Sequence, residues 1–69
     1  MANPVLLQFT EEALQELDEL KGYVHLPNRE DTIRHALRFL RWAVDETQSG
    51  GKLCLARNGA IREVNCFWE

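Results

Sequence analysis

The sequence has no apolar run longer than a handful of residues, only two cysteines and no excess of positive charge. Each shortage excludes something. A helix that crosses a bilayer needs about 20 consecutive apolar residues, so no membrane span is expected. The two cysteines, Cys54 and Cys66, come without a basic-then-apolar leader. The chain therefore reads as a reduced, cytoplasmic protein of a bacterial or phage-infected cell, not as a disulfide scaffold. His25 and His35 stand far from both cysteines with no paired ligand spacing, which leaves no metal site. There is no Ser/His/Asp set, no glycine-rich phosphate loop and no pair of carboxylates in a plausible cleft. The chain is read as a non-enzyme without a cofactor. Its net charge of −3 argues mildly against nucleic acid, whose ligands usually present a basic face. No internal repeat or low-complexity segment is visible.

What is present is globular composition: 45% hydrophobic residues, two tryptophans and three phenylalanines in 69 residues. That length allows one domain, and a domain so small buries only about 60% of the surface its unfolded chain exposes. Below roughly 70–80 residues a single core seldom suffices without disulfides, a metal or oligomerisation. With the first two excluded, oligomerisation remains.

Local pattern divides the chain clearly. Val5 to Phe9 is a short apolar run after Asn3-Pro4 and reads as a strand. Thr10 is a helix N-cap, followed by Glu11 and Glu12, whose charges suit a helix start. Ala13, Leu14, Leu17, Leu20 and Val24 recur at helical steps, predicting a helix from Glu11 to about Tyr23. Gly22 to Pro27 breaks it. Asn28 is a second N-cap with Asp31 three residues on, opening a helix from Arg29 to about Thr47. Its stripe is Ile33, Ala36, Leu37, Leu40, Ala43 and Val44. Phe39 and Trp42 widen it, and a face that broad covers more than one neighbour. Ser49-Gly50-Gly51 ends the helix. Asn58-Gly59 between two alternating runs is the strongest short hairpin signal. It places Arg57 opposite Ala60, Cys54 opposite Glu63 and Leu53 opposite Val64, so Cys54 does not meet Cys66. Phe67 and Trp68 either pack back on the body or form a contact surface. Residues 1–49 are taken as the main domain and 50–69 as its hairpin extension.

Charge is unevenly spread. Glu11 to Glu19 holds five acids and no base, whereas Arg29 to Arg41 holds four arginines and His35 against two acids. Arg34, Arg38 and Arg41 form one helical stripe. They could steer DNA, meet the acids of the first helix, or simply solvate the surface.

A lone strand needs a ladder for its backbone groups. The first strand can pair with the C-terminal hairpin or with its copy in a second chain. Here Val5-Leu6-Leu7-Gln8-Phe9-Thr10-Glu11-Glu12, then Leu14, Leu17 and Leu20, then Asn28-Arg29-Glu30-Asp31-Thr32-Ile33-Arg34-His35-Ala36-Leu37-Arg38 resemble the ribbon-helix-helix (Arc and MetJ) family over roughly residues 4 to 47. The resemblance implies a mainly α, β-α-α homodimer whose N-terminal strands form an intermolecular antiparallel ribbon. It also implies a regulator of transcription that lays the ribbon in the DNA major groove, a mode described for Arc and MetJ. By the same resemblance Leu6 and Gln8 would face bases, while Asn28 and Arg29 would hold phosphate at the second helix start. The alternative is an interaction module with the same fold that has lost DNA binding. The uncharged strand, the acidic first helix and the aromatic tail support that alternative by offering surfaces for a protein partner.

Overall fold

A computed structural model describes residues 3–69. Its elements are α1 (Glu11–Tyr23), α2 (Arg29–Gln48), β1 (Cys54–Arg57) and β2 (Ala60–Glu63), in that order. The architecture is thus mainly helical, two helices followed by an antiparallel hairpin. By its contacts the chain divides into one compact unit up to Arg34 and another from His35 to Glu69.

The expected β-α-α arrangement is not what forms. Asn3 to Thr10 adopts no regular secondary structure, and the sheet among the described residues contains only β1 and β2. The apolar composition of Val5 to Phe9 suits a strand, but a strand is a pairing, not a composition. With no ladder to receive its N–H and C=O groups the segment stays irregular. The N-terminal ribbon, and the ribbon-helix-helix homodimer built on it, are accordingly replaced by a helix-helix-hairpin fold. Pairing of this segment with the C-terminal hairpin does not occur either.

In the first unit, α1 begins where its cap says it should. Thr10 is extended, its hydroxyl accepts from the Ala13 N–H at 3.1 Å, and Glu11 and Glu12 fill the acidic first turn. The helix ends in a left-handed cap. The Leu26 N–H reaches the Lys21 carbonyl at 3.0 Å and the His25 N–H reaches that of Gly22 at 3.3 Å, with His25 at φ +58°. This is the two-bond Schellman ending, with histidine at a position that favours glycine. Asn28 then caps α2: its side-chain oxygen accepts from the Asp31 N–H at 2.8 Å. Thr32, 5% exposed, turns its hydroxyl back to the Asn28 carbonyl at 3.0 Å.

In the second unit, α2 ends by the same device. Gly50 sits at φ +90°, its N–H bonded to the Thr47 carbonyl at 3.2 Å, while the Gly51 N–H reaches the Glu46 carbonyl at 2.9 Å. Gly51 is also required sterically, since a Cβ there would lie 2.8 Å from the Glu46 oxygen. The hairpin follows the expected register, Arg57 against Ala60 and Cys54 against Glu63, with the Val64 N–H on the Leu53 carbonyl at 2.8 Å. Asn58 (φ +51°) and Gly59 (φ +80°) form its loop, both left-handed as a type I′ turn requires. Trp68 returns to α2, where its indole N–H donates to the Thr47 hydroxyl at 2.9 Å. Ala43, 2% exposed, is the buried apolar residue of this unit.

Candidate interaction surface

The four residues singled out for DNA fall into two pairs. Asn28 and Arg29 stand together at the start of α2, but both side chains are engaged. Asn28 caps the helix, and Arg29 makes two parallel 2.9 Å bonds from Nε and Nη2 to the carboxylate of Asp18. The fork-to-fork geometry is the strongest form of such a pair. The Arg29 guanidinium holds the Asp18 carboxyl below its ordinary range, and Asp18 in turn pushes Arg29 up. A phosphate approaching Arg29 meets a cation already neutralised by its own chain.

Leu6 and Gln8 lie on the irregular N-terminal segment, with Leu6 87% exposed. Their odd-numbered neighbours Val5, Leu7 and Phe9 line a shallow cavity of about 250 Å³ together with Leu14, Leu17, Arg29, Glu30 and Ile33. The segment therefore turns one side toward α1 and the start of α2 and leaves the other bare.

The remaining arginines of α2 are partly spoken for. Arg34 pairs with Asp31 at 2.7 Å and Arg41 with Asp45 at 3.4 Å, acids of the same helix at three- and four-residue spacing. Among the described residues only Arg29 meets an acid of α1. The neighbouring side chain wins because it needs no long-range ordering.

The second unit carries an exposed apolar surface. Phe39 (68% exposed) and Trp42 (52%) lie side by side on α2, their ring centroids 5.8 Å apart. With Leu53, Leu55 and Val64 of the hairpin and Lys52 they border a groove of about 640 Å³. A second hollow of about 470 Å³ opens between Phe39, Leu40, Ala43 and the tail residues Phe67 and Trp68. Trp68 packs back on the helix while Phe67 stays 87% exposed, edge-on to its neighbour with centroids 5.0 Å apart. The widened stripe of α2 was the sequence signal for this surface.

Among the described residues no group of three or more His, Cys, Asp or Glu side chains is placed to hold a metal ion, and no helix is long and apolar enough to cross a membrane. Comparison of the chain with known protein families, with characterised proteins and with solved structures found no match.

Proposed function

We propose that this chain is a small interaction module that works as a homodimer. The observation that carries the reading is the near-absence of a core. Among the described residues only Thr32 and Ala43 are buried, while Val5, Leu6, Leu7, Leu20, Tyr23, Leu37, Phe39, Trp42 and Phe67 are exposed. Soluble monomers seldom leave so much apolar surface open, and surfaces of this kind mark interaction sites. Hydrophobic burial is the main favourable contribution to folding, so a chain that buries so little by itself gains most of its stability by associating. A second copy is the partner present at matching concentration wherever the chain is made, and closed two-fold dimers are the commonest way to cover such surface.

The rival reading, a DNA-binding regulator with Leu6 and Gln8 at bases and Asn28 and Arg29 at phosphates, has less to support it. Phosphate contacts carry most of the affinity in such complexes. Here Arg29 is held by Asp18, Arg34 by Asp31 and Arg41 by Asp45. The net charge of −3 opposes it too.

Sedimentation velocity and light scattering across nanomolar to micromolar concentrations test the proposal, with urea unfolding followed in parallel. Dimers are expected, with an unfolding midpoint that rises with protein concentration. A folded monomer at all concentrations would overturn the dimer. A mobility-shift assay on DNA fragments at low salt tests the rival reading. DNA binding that weakens steeply with salt would reinstate the regulator.

A further inference from the structure

From the placement of charge beside apolar surface we infer that, in the self-association proposed above, the exposed side of α1 in one copy docks on the hairpin face of the other. The inference rests on that self-association and says which surfaces meet.

On α1, Glu12, Glu16, Glu19, Leu20 and Tyr23 are spaced to share one side of the helix, and all five are exposed. The side is ordered along the axis. Glu12 and Glu16 come first, and Leu20 and Tyr23 follow. Asp18, the acid committed to Arg29, belongs to a different side.

The hairpin presents the opposite charge in a matching order. Its register and strand alternation put Leu53, Leu55, Arg57, Ala60, Arg62 and Val64 on one face. Leu53 and Val64 stand at the open end of the hairpin and, with Leu55, border the groove beside Phe39 and Trp42; Arg62 lies directly opposite Leu55, and Arg57 adjoins the Asn58-Gly59 tip. Among the described residues Glu12, Glu16, Arg57 and Arg62 take part in no ion pair. The lengths agree as well. Glu12 to Tyr23 spans about 16 Å at the helical rise, and Leu53 to Arg57 about 13 Å along a strand.

Only one orientation satisfies both halves. The N-terminal half of α1 lies over the hairpin tip, where Glu12 and Glu16 face Arg57 and Arg62. Its C-terminal end lies at the groove, where Leu20 and Tyr23 cover Val64, Phe39 and Trp42. Each copy carries both surfaces, so each can supply the helix side or the hairpin side of the contact. The charges select this register over others, because like-charge juxtaposition is penalised.

The test uses two full-length variants, E12R/E16R and R57E/R62E. Each alone should self-associate at least about tenfold more weakly than wild type at low salt, since the contact then brings like charges together. Mixed in equal amounts they should associate in 1:1 proportion with near wild-type affinity, because a contact between the two variants is then Arg on Glu or Glu on Arg. The mixture decides whether the separate variants stay folded or lose helical signal without a partner. Restoration supports the inference. A mixture that behaves as the sum of its parts overturns it, and so does either variant associating as wild type does. Wild-type chain that stays monomeric instead removes the self-association on which the inference rests.

Discussion

The indole N–H of Trp68 donates to the Thr47 hydroxyl at 2.9 Å, and that hydroxyl lies 3.0 Å from the carbonyls of both Ala43 and Val44. The last turn of α2 and the C-terminal tail thus meet at one oxygen, which accepts from the indole and donates into the helix. Trp68→Phe keeps most of the ring and removes the N–H. A side-chain hydrogen bond of this kind is worth about 1 kcal/mol, and that loss is expected by urea denaturation at fixed protein concentration. Trp68→Ala removes the packing too and should cost about 2 kcal/mol or more. If the two variants are equal, the ring does not pack and the tail is held by the hydrogen bond alone.

The end of α1 makes the opposite prediction, a gain. His25 occupies the left-handed position of the cap at φ +58°, where a Cβ is disfavoured by roughly 1–2 kcal/mol. Glycine removes that penalty and gives back part of the gain through a freer unfolded chain. His25→Gly is expected to stabilise the protein by about 0.5–1 kcal/mol, read as a higher urea midpoint at unchanged slope. At the hairpin the reverse holds. Gly59 at φ +80° has open space where a Cβ would stand, so Gly59→Ala is penalised by backbone conformation alone. It should destabilise by about 1 kcal/mol.

These caps show where sequence suffices. Thr10, Asn28, Gly50 and Asn58-Gly59 each act on backbone groups within a few residues, so their chemistry could be read one position at a time. Both helices and the hairpin register follow from such signals. Val5 to Phe9 failed the same reading because a strand is completed by a partner that local composition does not specify. Among the ion pairs of the described residues, Arg34 and Arg41 chose acids one turn away, and Arg29 alone crossed to α1. The apolar surface was half legible: Phe39 and Trp42 stood out as excess width on α2. Their alignment with Leu55 and Val64 depends on how the hairpin returns, and the Trp68 bond spans 21 positions with no local signature.

Stability should fall on the acid side partly through one residue. Arg29 lowers the Asp18 carboxyl, first through the paired hydrogen bonds and then through charge. A carboxyl depressed in the folded state stabilises at pH above its ordinary value. That contribution is lost as pH falls through the depressed folded value. Arg29, raised by the same pair, would lose its contribution only at a pH above its own folded value, far outside any working range. Wild type and Asp18→Asn should therefore differ most near neutral pH and converge as pH drops below the carboxylate range. The exposed pair should also weaken with salt. Urea midpoints from about pH 7 to about pH 2, at low and high salt, measure both effects. A constant gap across that range would mean that Asp18 acts by packing and not by charge.

The two free cysteines should react at different rates, because Cys66 is held back. Cys54 is exposed on β1, opposite Glu63 and away from Cys66. Cys66 is half-buried beside the tail, where burial first, and then the charges of Glu69 and Glu63, push its thiol up. The thiolate is the reactive form, so a raised thiol reacts more slowly at a given pH. Iodoacetamide at about pH 8, near the unperturbed cysteine value, should label Cys54 first, with peptide mass spectrometry assigning the sites. Glu69→Gln removes one of the charges that disfavour the Cys66 thiolate and should speed labelling there while leaving Cys54 unchanged. Burial is the larger cause, so Trp68→Ala, which opens the tail around Cys66, should speed its labelling more than Glu69→Gln does. Equal acceleration of both cysteines would point to global unfolding, and no acceleration at Cys66 would remove burial and charge as what holds it back.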